Sequence, residues 1–207
     1  MKIRTARLED APALAHIRNW AAVASTALFD GSTTVADREK WLSTIPAAFV
    51  AEDNNEVIGY ASYGSFRVHS GYLHTVENSV YVLPGHQGKG VGKSLLNAVI
   101  RHAEDSPDVH RMVAWIESTN EASLALHRKN GFQEMGTLTE VGYKFNRWLD
   151  VTIMQRDCQV APVTIKKIVP LGVHREAPSF ALLNRGPLRA RLSERGIKLL
   201  HERLRLG

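Results

Sequence analysis

A glycine-rich stretch, GHQGKGVGKS at residues 85–94, constrains the fold of this 207-residue chain more than any other segment. It follows the apolar run SVYVLP and precedes LLNAVIRHAE, whose apolar residues recur at helical spacing. Glycines between a strand and a helix let successive backbone N–H groups point into one concavity, and the helix start adds a partial positive charge. The stretch therefore predicts a phosphate-binding turn at a strand–helix junction.

Three phosphate-binding patterns compete for this stretch. A nucleoside-triphosphate P-loop needs a glycine five positions before Gly92, and that position is Gln87. A dinucleotide-binding turn needs its third glycine where Lys93 stands. The third pattern, [Arg/Gln]-x-x-Gly-x-[Gly/Ala], is matched by QGKGVG at residues 87–92. The alternative to all three is a glycine-rich turn that leads into a helix and binds no phosphate.

The periodicity of the remaining sequence predicts one α/β unit of the α+β kind, with helices flanking a mixed sheet. The predicted order of elements is β-α-α-β-β-β-α-β-α-β-β. Asp10 and Asn120 are the predicted N-caps of the first and last helices, and Asn54–Asn55 is a predicted turn between strands. No apolar run reaches the length that spans a bilayer, and the first ten residues do not resemble a secretory signal.

The net positive charge of the chain comes from its C-terminal part. Residues 160–207 hold ten Lys/Arg and three Asp/Glu, whereas residues 1–159 hold sixteen and eighteen. We therefore predict a folded domain at 1–158 and a basic extension of unknown role at 159–207. The segment RGPLRARLSERGIKLLHERLRLG has no aromatic side chain for base stacking, so nucleic acid is not an expected partner. The single cysteine, Cys158, fits a reducing cytoplasm.

Three segments in sequence order carry a family resemblance: TVENSVYVLPGHQGKGVGKSLL, IESTNEASLALHRKNGF and VGYKFNRWLDV. Together they resemble the GNAT acetyltransferases, and within these the phosphinothricin and methionine sulfone or sulfoximine N-acetyltransferases, over residues 2–157. The resemblance implies a mixed, mostly antiparallel sheet whose central strands splay apart to bind coenzyme A. It also implies acetyl-CoA as co-substrate, a small amino acid or toxic analogue as the amine, no metal, and a homodimer.

The resemblance further implies which residues hold coenzyme A. The strand before the loop would pair with the pantetheine arm, the loop would cradle the pyrophosphate, and an asparagine at a helix start would bond the pantetheine chain. These residues are Val80, Tyr81, Val82, Gln87, Gly88, Lys89, Gly90, Val91, Gly92, Lys93 and Asn120. For Asn120, a simple N-cap is an equally good interpretation.

Two residues match the catalytic positions of the family. Glu77 stands where the family's proposed base lies, and a glutamate needs a raised pKa or a bridging water to deprotonate an ammonium group. His127 stands where many members have a tyrosine that protonates the leaving thiolate, and histidine can donate a proton near neutral pH. The alternatives are an exposed or salt-bridged glutamate and a packing or dimer-contact histidine.

The acceptor amine is expected to lie against the segment SFRVHSG and the following strand. Arg67 suits a carboxylate because its guanidinium fork can bind both oxygens. The other residues expected around the amine are His69, Asn78, Ser79, Phe29 and Phe66. The subgroup is expected to have histidine at the position of Asn78 and arginine at Leu73. A protein N-terminus, a polyamine or an antibiotic is therefore an alternative acceptor, and a non-catalytic acyl-CoA-binding module is the alternative to an enzyme.

Overall fold

The computed structural model describes residues 1–28 and 31–159, which contain seven strands and four helices. The strands are β1 (Lys2–Thr5), β2 (Ala47–Asp53), β3 (Glu56–Ser65), β4 (Thr75–Val82), β5 (Arg111–Glu117), β6 (Gln133–Lys144) and β7 (Arg147–Asp157). The helices are α1 (Ala11–Ala24), α2 (Val35–Leu42), α3 (Val91–Glu104) and α4 (Glu121–Lys129). The order predicted from the sequence is confirmed. Phe29 and the extension from residue 160 lie outside the described residues, so the domain boundary stays a prediction.

All seven strands form one mixed sheet in the order β1-β2-β3-β4-β5-β7-β6. Neighbouring strands are antiparallel except β4 and β5, which run parallel. The β4–β5 pairing covers only Thr75 to Glu77 on β4 and Arg111 to Val113 on β5. Beyond Glu77, β4 continues to Val82 paired with β3 alone. The two central strands therefore splay apart, as expected.

Apolar side chains cover both faces of the sheet. On one face, Leu95 and Val99 of α3 and Leu124 of α4 pack against strand residues such as Met112. On the other face, Leu14 of α1 packs in a smaller cluster with three strand residues, Val50, Tyr60 and Tyr81. Burial of these side chains fixes which face each strand residue occupies. The helices thus lie in two layers with the sheet between them.

Two predicted local features have different outcomes. Asn54 and Asn55 both have positive φ, 49° and 66°, and form the predicted turn between β2 and β3. Asp10 occupies the N-cap position of α1 but makes no side-chain cap bond. Its carboxylate instead accepts hydrogen bonds from the guanidinium of Arg4 at 2.7 and 2.8 Å and from the backbone N–H of Arg7 at 2.7 Å. At Asp10, an ion pair with Arg4 and a hydrogen bond from the Arg7 backbone therefore replace the side-chain cap of α1.

Across residues 1–28 and 31–159, no helix combines the length and the apolar character needed to cross a membrane.

Candidate active site

The splay between β4 and β5 opens a cavity of about 500 Å³. Its walls come from both strands, from one side of α4 (Asn120, Ser123 and His127), and from residues 25–28, which follow α1. The predicted site residues that line it are Arg67, Glu77, Asn78, Ser79, Val80, Tyr81, Val82, Gln87, Asn120 and His127. The structure therefore brings both predicted catalytic residues together with three of the predicted acceptor residues, Arg67, Asn78 and Ser79.

Alternation along β4 divides the cavity between the two faces of the sheet. Val80 and Val82 pack against the core beneath α3 and α4. Tyr81 packs into the cluster beneath α1 and α2. Because successive strand residues point to opposite faces, Glu77 points toward the α1 side and Asn78 toward the α4 side. The cavity thus has one half containing Glu77 and another containing Asn78.

Glu77 is half-buried and is the last residue of β4 that pairs with β5. Burial raises the pKa of its carboxyl group above the ordinary value of 4.5, while the positive charge of Arg67 opposes that rise. A higher pKa improves the match between a carboxylate base and an ammonium group. The environment of Glu77 therefore suits a proton acceptor better than a solvated glutamate would.

Arg67 faces the same cavity from the segment after β3. Its guanidinium carbon lies 4.2 Å from the ring centroid of Phe66 and 5.4 Å from that of Trp115. Its Nη1 donates to the carbonyl oxygen of Phe66 at 2.8 Å. Phe66 therefore holds the Arg67 side chain through both its ring and its backbone carbonyl. The arrangement holds a guanidinium group at the cavity edge near Glu77.

His127 is almost completely buried near the end of α4, with 4% of its surface exposed. Its Nδ1 lies 2.8 Å from the carbonyl oxygen of Ser123, which can only accept, so Nδ1 carries a proton. Its Nε2 lies 3.2 Å from Nδ2 of Asn78, which can only donate, so Nε2 accepts. Burial lowers the pKa of His127, partly opposed by the Ser123 hydrogen bond. The ring in this arrangement is neutral.

The other polar atom of Asn78, Oδ1, is buried and has no hydrogen-bond partner among the described residues. A buried acceptor without a donor is costly, and such groups in proteins commonly meet a ligand or an ordered water. Since Asn78 lines the cavity, this oxygen is available to a bound N–H or O–H group or to a rearranged His127.

The glycine-rich loop adopts the backbone that its composition predicts. Gly88 and Gly90 have φ of 72° and 82°, a region that favours glycine. Gly90 is the N-cap of α3 and has no side chain to accept from the first backbone N–H groups of the helix. The side chain of Gln87 donates from Nε2 to the carbonyl oxygen of Val82 at 3.0 Å, which ties the loop to the end of β4.

The remaining loop residues surround that helix start. Val91 and Gly92 form the first turn of α3, and the side chains of Lys89 and Lys93 are exposed beside it. Together they present backbone donors, a helix N-terminus and two cations. This set suits a pyrophosphate.

Of two further predicted site residues, Asn120 lines the cavity and His69 does not. Asn120 caps α4, with its side-chain oxygen accepting from the backbone N–H of Ser123 at 3.1 Å. The N-cap interpretation is thus confirmed, while its contact with coenzyme A stays a prediction. His69 is exposed and does not line the cavity formed by the described residues.

Sequence reasoning missed several cavity residues. Trp115 and Glu117 on β5 line the cavity, and Glu117 is buried, accepting from Thr119 Oγ1 at 2.7 Å and facing Arg147 at 3.8 Å. An acidic residue at the end of the apolar run MVAWI was the available sequence signal for Glu117. Residues 25–28 also line the cavity, and nothing in their own sequence indicates it.

No group of three or more His, Cys, Asp or Glu side chains within residues 1–28 and 31–159 is arranged to hold a metal ion.

The chain matches the model of the Acetyltransferase (GNAT) family over residues 14–132. It is 47% identical over 160 residues to the L-amino acid N-acyltransferase MnaT of Escherichia coli, covering 75% of this chain and 92% of that protein. It is 43% identical over 159 residues to the L-methionine sulfoximine/L-methionine sulfone acetyltransferase of Pseudomonas aeruginosa, covering 74% and 92% of the two chains.

Solved structures are similar in the same region. The yncA protein of Salmonella typhimurium, solved with acetyl-CoA, has a TM-score of 0.74 at 40% identity, over 78% of this chain and 97% of that one. A phosphinothricin acetyltransferase from Sinorhizobium meliloti, solved with acetyl-CoA, also has a TM-score of 0.74, at 31% identity over 82% and 95%. The family match, the sequence identities and the splayed sheet agree, and the chain belongs to the GNAT acetyltransferase family.

Proposed function

We propose that this protein transfers the acetyl group of acetyl-CoA to the amino group of a small amino acid or a toxic analogue, such as methionine sulfone, methionine sulfoximine or phosphinothricin. The observation that carries the proposal is the cavity between the splayed strands, where Glu77 and Arg67 face the same space. The relatives named for amino acids and their analogues support this acceptor class.

The described residues fit coenzyme A. Gly88 and Gly90 have the positive φ that leaves backbone N–H groups open to an anion, and a Cβ at either would meet no described atom within 4 Å. Lys89 and Lys93 would add positive charge near the pyrophosphate. When bound, acetyl-CoA supplies an activated thioester. The strand edge from residue 78 to 82, which β5 leaves unpaired, would hold the pantetheine arm.

Arg67 and Glu77 would have separate roles toward the acceptor, binding its oxyanion and removing its proton. Arg67 would bind the acceptor carboxylate or an equivalent oxyanion, because its fork can donate two parallel hydrogen bonds. Glu77 would take the proton that the ammonium group must lose before its nitrogen can attack a carbonyl carbon. Ser79 lies on the same strand face and would complete this polar half of the cavity.

His127 would be the proton donor for the leaving thiolate, but only after a change in its own protonation. In the described arrangement its single ring proton is on Nδ1 and is donated to Ser123. Donation from Nε2 requires that nitrogen first to take a proton from solvent, which converts the ring to an imidazolium. A rotation of the Asn78 amide would then let its unpartnered Oδ1 accept from Nε2.

The test is release of the CoA thiol from acetyl-CoA by the purified full chain. Phosphinothricin, methionine sulfone, methionine sulfoximine and the common amino acids form the acceptor panel. Glu77→Gln should lose about a hundredfold to ten-thousandfold in kcat/KM while keeping its affinity for CoA. Glu56→Gln, at an exposed carboxylate at the start of β3 and outside the cavity, is the matched control and should retain full activity.

Turnover on the panel that survives Glu77→Gln would contradict the role of Glu77. Turnover only on polyamines, peptide N-termini or aminoglycosides would replace the acceptor class. CoA binding measured by calorimetry, with no turnover on any amine, would establish a binding module instead of an enzyme.

A homodimer is part of the proposal. The β6–β7 hairpin exposes a group of large apolar side chains: Met135, Leu138, Val141, Tyr143, Phe145 and Trp148. Exposed apolar surface of this kind is typical of protein interfaces. We also expect the protein to act in the cytoplasm, where its single cysteine would stay reduced.

A further inference from the structure

Residues 25–28, which we call the 25–28 wall, line the cavity although they belong to neither central strand. The wall follows α1 directly, so it closes the half of the cavity that contains Glu77. Part of its shape is local. The hydroxyl of Ser25 donates to the carbonyl oxygen of Ala21 at 2.7 Å and accepts from the backbone N–H of Ala27 at 3.2 Å.

A lysine from the far end of the sheet attaches this wall to the β6–β7 hairpin. Nζ of Lys144 donates to the carbonyl oxygens of Ser25 and Ala27, at 2.6 and 2.7 Å. These contacts join residues that are 119 and 117 positions apart in sequence. Both bonds are charge-assisted, and such bonds are roughly twice as strong as neutral ones.

The environment of Lys144 shows that it is committed to this contact. Its side chain is half-buried, and burial lowers the pKa of its ammonium group. No carboxylate among the described residues forms an ion pair with it. The two backbone carbonyls, with the Phe145 ring centroid 5.1 Å from Nζ, therefore replace water around this charge.

A second contact attaches the wall at Leu28. A Cβ placed on Gly142 of β6 would lie 2.4 Å from Cδ1 and 2.9 Å from Cδ2 of Leu28. Gly142 has no positive φ, so what its missing Cβ provides is space for Leu28 and not a special backbone conformation. Leu28 thus packs directly onto the β6 backbone and is held there while it also lines the cavity.

We propose that Lys144 and Gly142 are positioning residues that hold the 25–28 wall against the β6–β7 hairpin and thereby determine which acceptor amines fit beside Glu77. The proposal rests on the proposed function for its kinetic consequence. It predicts an effect on the acceptor half of the cavity alone, because the glycine-rich loop and α3 make none of these contacts.

Kinetic measurements separate this role from a general structural one. Lys144→Met should raise KM for the acceptor amine about tenfold, the effect expected for losing hydrogen bonds from a charged group. KM for acetyl-CoA should stay within about twofold. Lys144→Arg, which keeps the charge and the donors, should restore much of the affinity. Lys129→Met, at an exposed lysine outside the cavity, is the matched control.

Gly142→Ala tests the second contact. The added methyl group must displace Leu28, so kcat/KM should fall more for large acceptors such as phosphinothricin than for alanine or serine. An unchanged ratio of large to small acceptors would overturn the role of Gly142.

Hydrogen exchange of the ligand-free protein decides the structural part without any activity. Amides of residues 25–28 should exchange at least about tenfold faster in Lys144→Met than in the wild type or in Lys129→Met. Equal exchange rates in all three proteins would overturn the proposal even if KM changed. Faster exchange with equal increases in KM for the acceptor amine and KM for acetyl-CoA would overturn the role in acceptor selectivity. Faster exchange in a protein that shows no activity on any amine would count against the proposed function alone.

Discussion

Asn78 of β4 donates a hydrogen bond from Nδ2 to Nε2 of His127 on α4, across 3.2 Å and 49 positions of sequence. The contact holds His127 in the neutral form that has its proton on Nδ1. It also leaves Oδ1 of Asn78 without a partner among the described residues. Two adjacent strand residues, Glu77 and Asn78, thus bring a carboxylate and a histidine to opposite halves of one cavity.

The burial of His127 predicts a pH dependence of stability. Its pKa in the folded protein is lower than the ordinary value of 6.5, so the unfolded chain binds more protons as the pH falls below neutrality. The free energy of unfolding should therefore decrease from pH 7.5 toward pH 5, and less steeply in His127→Gln. Urea unfolding at several pH values measures this. His16→Gln, at an exposed histidine, should keep the wild-type slope, and a slope unchanged in His127→Gln would contradict the prediction.

The opposing effects of burial and Arg67 on Glu77 predict a shift in the pH–rate profile. Arg67 lowers the pKa of Glu77, so Arg67→Gln should raise it and move the acidic limb of kcat/KM to higher pH. Arg67→Lys should leave the limb near its wild-type position because the charge is kept. Arg101→Gln, at an exposed arginine outside the cavity, controls for loss of a positive charge. An identical acidic limb in Arg67→Gln would show that Glu77 does not control this titration.

The glycine-rich loop allows the cost of backbone strain to be separated from the loss of coenzyme binding. Gly85 and Gly90 have nearly equal φ, 81° and 82°, and a Cβ on either meets no described atom within 4 Å. Alanine at either position should cost about 1–2 kcal/mol of stability through the same left-handed strain. Only Gly90→Ala, at the N-cap of α3, should also weaken binding of acetyl-CoA, by about tenfold in a calorimetric titration. Equal loss of affinity in both variants would argue against the pyrophosphate cradle.

The apolar face of the β6–β7 hairpin predicts the oligomeric state. Trp148 is 58% exposed there, and Trp148→Glu should convert a homodimer to a monomer in sedimentation or light-scattering measurements. Val68→Glu is the matched control, because Val68 is 95% exposed and belongs to the segment between β3 and β4 instead of the hairpin. A monomeric wild type at micromolar concentration, or a dimer that persists in Trp148→Glu, would exclude this interface.

Much of the framework of this protein was predictable from sequence because it depends on local chemistry. Apolar periodicity specifies the strands and helices, Asn120 caps α4, and the paired asparagines at 54–55 form a turn. The glycine-rich loop is equally local, since Gly90 needs only its own backbone freedom and the helix that follows it. The position of Glu77 on the strand before this loop came from the family resemblance.

Tertiary structure alone decided the interior of the cavity. No local pattern of residues specifies the splay, which the family resemblance implied; the strand register shows it, because the β4–β5 pairing ends at Glu77 and Val113. Asn78 meets His127 across 49 positions of sequence, and Lys144 reaches the wall from more than a hundred residues away. These contacts join segments that are distant in sequence and become neighbours only when the chain has formed its sheet. Periodicity and capping patterns report interactions within a few residues, so the sequence determined the elements and the loop, while the topology of the sheet decided which side chains meet.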